Sequence, residues 1–155
     1  MKKQRFIGLL VEGNKKLAAV MSKLECDGYI AYNGKVPHKL LHITVKVPEW
    51  CTSIHAATKA DNLSRNLPAK FTVLEAYQHP YTTKIMLSGV LDKKFSTAVQ
   101  PHVTIGDFGR DYDAKDWAAG NKELLQSCIN TELKVIGLAV ITKNEGVTYK
   151  SKQKR

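Results

Sequence analysis

Two short stretches of this chain carry an imidazole and a hydroxyl in the same arrangement: His42-Ile43-Thr44-Val45 and His102-Val103-Thr104-Ile105. In an extended strand successive side chains point to opposite faces, so His42 and Thr44 share one face, as do His102 and Thr104. Each pair lies roughly 7 Å apart along its strand at a rise of ~3.3 Å per residue. Ile43, Val45, Val103 and Ile105 face the other way, as residues of a buried surface would. With five histidines and eleven threonines among 155 residues, roughly 0.35 His-x-Thr coincidences are expected by chance. Two copies, both set in β-branched apolar stretches, read as a pair with a common task.

That task would be proton transfer at a phosphate. Imidazoles titrate near neutrality, so one can accept a proton while the other donates one. Two hydroxyls and an imidazolium can donate hydrogen bonds to the non-bridging phosphate oxygens as charge builds up. The set suits cleavage of a phosphodiester. It requires no metal, and no carboxylate cluster of the kind that holds Mg²⁺ stands out, so neither a metal nor another cofactor is expected. The two motifs are nearly equal, which leaves open which histidine is the acid and which the base.

The elements that must position these residues can be read along the chain. Phe6 to Val11 reads as a strand, followed by a helix capped by Asn14 with Leu17, Val20, Met21 and Leu24 inward. A short strand at 29–32 precedes an Asn33-Gly34 turn, and the first motif lies in a strand from Leu40 to Val47 stopped by Pro48. A helix over 52–66 would bury Ile54, Ala57 and Leu63. Strands follow at 70–77, 83–90 and 100–106, then a polar loop at 106–113. A helix over 115–129 would bury Trp117, Leu124, Leu125 and Cys128. A hairpin, 134–143 with 147–150, closes the fold. Each half thus supplies a helix and a motif-bearing strand, a weak duplication that suggests two lobes meeting at one cleft: a single bilobal domain over 1–149, with a basic tail at 150–155.

Composition sets the bounds. Hydrophobic residues make up 43% and charged residues 25%, which fits a soluble globular domain and excludes a disordered, collagen-like or disulfide-scaffold chain. The apolar runs at 6–11 and 135–141 fall far short of the ~20 residues of a membrane span, so no membrane partner is expected. No secretory leader is evident. Three cysteines without a Cys-x-x-Cys pair read as reduced, packing thiols of a cytoplasmic protein, and a zinc site is not expected. A net charge of +10 favours a polyanionic partner, a nucleotide or RNA. The protein is expected to act as a monomer.

Secondary candidates surround the motifs. Lys46 lies two residues beyond Thr44 on the same face and could pair with a phosphate, and Arg110 could close over one from the loop past the second motif. Tyr81, with Tyr29, Tyr32 and Tyr77, could stack a base at the rim. His38, His55 and His79 lack a hydroxyl two residues on and read as structural or solvent-exposed. Trp50 and Trp117 read as packing residues.

The paired pattern resembles the two-histidine phosphoesterase superfamily, whose signature is two His-x-Thr/Ser-hydrophobic motifs, matched in full here by residues 42–45 and 102–105. The resemblance rests on those motifs alone. It implies a bilobal α+β fold in which two antiparallel β-sheets face each other across a central groove, with helices on the outside. It implies catalysis by His42, Thr44, His102 and Thr104 without a metal, on 2′,3′-cyclic phosphates of RNA ends, 2′-5′ linkages, or small cyclic or oligomeric nucleotides. Some viral members of that superfamily destroy nucleotide second messengers of host defence. The alternative from another class is a non-catalytic protein that sequesters a nucleotide or RNA in the same basic cleft.

Overall fold

The structure is a computed structural model that describes residues 1–151. Strand β1 (Lys3–Glu12) leads into helix α1 (Lys15–Cys26). The Asn14 side chain caps α1 by accepting from the Leu17 N–H at 2.9 Å. A two-residue β2 (Ile30–Ala31) precedes β3 (His42–Cys51). The chain continues through α2 (Ser53–Leu63), a 3-10 turn (Ser64–Asn66), β4 (Lys70–Gln78), β5 (Lys84–Leu91) and β6 (His102–Asp107). Helices α3 (Asp111–Gly120) and α4 (Lys122–Gln126) then lead to β7 (Glu132–Thr142) and β8 (Gly146–Ser151).

Among the described residues the protein is α+β: eight strands form one antiparallel sheet, accompanied by four helices. The strand order is β2-β6-β5-β4-β7-β1-β3, with β8 added on β7. Strand β3 ends that order, which is why Pro48, lacking an N–H, is tolerated within it. No helix among the described residues is long and apolar enough to cross a membrane.

Alternation divides the sheet into two unlike faces. Ile7, Leu9, Ile43, Val45, Phe71, Val73, Ile85, Leu87, Val103, Ile105 and Leu138 are buried in one core together with Leu17, Val20 and Leu24 of α1, Ala56 and Ala60 of α2, and Trp117 and Leu125 of α3 and α4. All four helices therefore cover this face. The other face carries a small apolar cluster (Leu10, Ala139 and Ile141, with Phe6 and Leu40 against it) and the polar members of both motifs.

The sheet bends sharply. Strands β3 and β6 stand five positions apart in the order, roughly 24 Å in a flat sheet at ~4.8 Å per strand. They are nevertheless in contact, and the Ala98 N–H, just ahead of β6, donates to the Thr44 carbonyl at 3.2 Å. Between the two ends, β4 and β7 pair only through Lys70–Thr72 against Glu132–Lys134.

Several expectations need correction. The helix expected over 115–129 is two helices broken at Asn121, whose φ of −121° departs from helical values. In α2 the buried residues are Ala56 and Ala60, and Ile54 is exposed. Trp117 and Cys128 are buried as expected, whereas Trp50 and Cys26 are exposed. Lys150 and Ser151 belong to β8, and the rest of the expected basic tail lies outside the described residues.

Candidate active site

Both motifs open a strand, and the local backbone treats the two histidines alike. The carbonyl just before each one joins the ladder: Leu41 O accepts from the Val11 N–H at 3.2 Å, and Pro101 O accepts from the Gly89 N–H at 3.3 Å. The carbonyl two residues before each one points the opposite way and meets the imidazole. His42 Nδ1 lies 2.8 Å from Leu40 O, and His102 Nδ1 lies 3.0 Å from Gln100 O. A carbonyl oxygen only accepts, so Nδ1 carries the proton in both rings. Each Nε2 is then the atom that gains or loses a proton, and neither has a partner among the described residues. The hydroxyls of Thr44 and Thr104 are likewise unengaged there, whereas those of Thr83, Thr131 and Thr142 bond within the protein.

The ladders repeat the same figure. Leu10 stands opposite His42 and Gly8 opposite Thr44; then comes a bulge that leaves Val45 unpaired and sets Ile7 opposite Lys46. Ser88 stands opposite His102 and Met86 opposite Thr104; then comes a bulge that leaves Ile105 unpaired and sets Ile85 opposite Gly106. In each case the bulge turns the residue two beyond the threonine onto the helix-covered face. A Cβ at Gly106 would sit 2.9 Å from Leu24 Cδ1 of α1.

This overturns the placement of Lys46. It does not follow Thr44 onto the face of the two motifs but stands with Ile7 near Glu49, whose carboxyl is held low chiefly by Lys59. Nor does the structure bring the other two secondary candidates to the histidines. Tyr81 is 91% exposed at the β4–β5 turn, against the His79 ring. Arg110 is bound to its own helix, with Nη1 donating to the Tyr112 hydroxyl at 2.6 Å. Tyr32 is buried, and Tyr29 packs on Phe108 at a 4.4 Å ring separation. Tyr77 alone of the four tyrosines stands in the row of Met86 and Thr104, with its hydroxyl 4.0 Å from Met86 Sδ.

The histidines differ in their surroundings. The Phe6 ring stands 5.2 Å from His42, tilted by 45°. Burial holds the His42 imidazole below the ordinary histidine value; the bond to Leu40 opposes this, and the positive charges of His102 and Lys84 reinforce it. Sequence reasoning missed Lys84, Met86, Gly8 and Phe6 at this site. Only Gly8 left a signal, as a glycine inside an apolar strand, where something approaches closely. Asp107, at the end of β6, is occupied: it receives the Thr83 hydroxyl at 2.8 Å, the Gly109 N–H at 3.1 Å and the Lys39 ammonium at 3.1 Å. A cavity of about 790 Å³ between α1 and α3–α4, lined by Lys16, Asn121, Lys122 and Glu123 among others, contains no histidine and lies away from both motifs.

Among the described residues no three His, Cys, Asp or Glu side chains group so as to hold a metal ion. No family model matches the chain, and no curated protein matches it.

Proposed function

We propose that the protein is a phosphodiesterase that hydrolyses a nucleotide or RNA phosphodiester by acid–base catalysis between His42 and His102. The observation that carries this reading is the matched pair of imidazoles, each held by Nδ1 with Nε2 left open, each beside an unengaged threonine hydroxyl. Neutral His42, favoured by its burial, takes a proton from water through Nε2. The water oxygen attacks phosphorus in line with the leaving oxygen. The bond from phosphorus to that oxygen breaks as His102 donates its Nε2 proton, and a phosphomonoester and an alcohol result. Thr44 and Thr104 donate to the non-bridging oxygens, where charge develops. The scheme uses proton transfer and hydrogen bonding alone.

We read the architecture as two lobes related by duplication. The narrow β4–β7 junction separates β7-β1-β3 with β8 from β4-β5-β6-β2. The repeated histidine, threonine and bulge registers make β1–β3 the counterpart of β5–β6. A cytoplasmic setting accords with three free thiols. Substrates in range of this reading are 2′,3′-cyclic phosphates, 2′-5′ oligonucleotides and cyclic oligonucleotide signals, a viral counter-defence role being one setting for the last.

The test is incubation in EDTA with a panel of those three classes, following products by chromatography. Turnover of any member, lost in the His42→Ala, His102→Ala double variant, supports the enzyme. Absence of turnover across the panel, with tight and salt-sensitive binding of one member, identifies a sequestering protein.

A further inference from the structure

Along β5, Lys84, Met86 and Ser88 share a face, and the register puts Met86 opposite Thr104 and Ser88 opposite His102. Lys84 therefore stands on the groove face, two residues beyond the row of Thr104. In the related register of β1, its position is taken by Phe6, the ring that packs against His42. The walls of the groove are thus unlike: Phe6, Leu10 and Ile141 on one side, an ammonium on the other.

Lys84 is half-buried and enters no ion pair among the described residues. The carboxylate opposite it, Asp107, is already shared by Thr83, Gly109 and Lys39. The charged and titratable groups that act on His42 are His102 from β6 and Lys84 from β5, with the Phe6 ring from β1 and the Leu40 carbonyl completing its surroundings. A half-buried ammonium that acts on an imidazole, with no acidic partner among the described residues, gains most by pairing with an anion.

We propose that Lys84 is a substrate-binding residue, its ammonium seating an anionic phosphate oxygen beside His42. This rests on the phosphodiesterase reading of the groove and extends it, since neither motif contains the residue. It also makes the groove asymmetric, with the anionic part of the substrate drawn to the β5 wall.

Calorimetric titration with adenosine 3′-monophosphate, a phosphomonoester of the kind the proposed reaction releases, tests it on wild type, Lys84→Ala and Lys84→Arg, with nitrogen-detected NMR of His42 on the ligand-free proteins. Loss of one charge-assisted hydrogen bond predicts about tenfold weaker binding in Lys84→Ala. Lys84→Arg should restore most of it, and the His42 titration midpoint should rise in Lys84→Ala with no ligand present. Wild-type affinity and an unmoved His42 midpoint in folded Lys84→Ala overturn the proposal, as does an absence of measurable nucleotide binding by the wild type. Its failure is separable from that of the enzyme reading. Wild-type turnover with an unchanged KM in Lys84→Ala removes Lys84 alone, whereas Lys84-dependent binding without wild-type turnover removes the enzyme alone.

Discussion

Gly8 lies beneath the His42 ring: a Cβ built on it would come 3.2 Å from His42 Cδ2 and 3.4 Å from Ile141 Cδ1. His42 cannot turn aside without giving up the 2.8 Å bond from Nδ1 to Leu40 O. Gly8→Ala should therefore displace the imidazole by a few tenths of an ångström while leaving the core intact. We expect kcat to fall by roughly tenfold or more, since small misplacements of reacting groups are costly. Thermal unfolding should change little. A normal kcat in Gly8→Ala would mean that the His42 position is not critical.

The two threonine hydroxyls are assigned to charge that develops during the reaction. Thr44→Val and Thr104→Val preserve shape and remove the donor. Each should lower kcat by about a hundredfold with a smaller change in KM, and serine at either position should retain most of the rate. Steady-state kinetics on the four variants checks this.

His42 also ties stability to pH. Burial above all keeps its folded value below the ordinary one of about 6.5. In the unfolded chain the same group takes up a proton near pH 6.5, while the folded protein takes it up only at lower pH. Its contribution to stability is complete above about pH 6.5 and is lost as the pH falls through the folded value. Urea unfolding between pH 7.5 and 5 should show this loss, and His42→Gln should flatten it. The acid limb of the rate profile should likewise lie below pH 6.5, because the base must be neutral to act.

Phe71 occupies the junction between β4 and β7, opposite Leu133, and is wholly buried. Phe71→Ala should cost about 3–5 kcal/mol in unfolding free energy, by lost burial and the cavity left behind. Denaturant unfolding measures it.

The motif strands were legible in the sequence because their alternation is clean and β-branched, and the Asn14 cap because its chemistry is local. The placement of Lys46 was not, because a bulge at Val45 breaks the alternation on which it relied, and nothing in the residue types announces a bulge. Lys84 was out of reach for a different reason: it comes onto the face of His102 and Thr104 through the pairing of β5 with β6, a long-range register that one sequence does not state. The shared Nδ1 bonds depend on a carbonyl turned away from the ladder at each strand entrance, a feature of backbone direction and not of composition. The break at Asn121 likewise follows from the turn between α3 and α4, where the apolar spacing suggested one helix.

Catalysis by His42 and His102 requires that the ligand be converted and not only held. The most direct test takes the panel member with the highest affinity and measures, in EDTA, both its dissociation constant and its chemical fate with the wild type and with the His42→Ala, His102→Ala variant. The wild type should release a phosphomonoester, while the double variant should bind with similar affinity and return the ligand intact. A wild type that binds tightly and returns the ligand unchanged after long incubation would rule out catalysis by the two histidines.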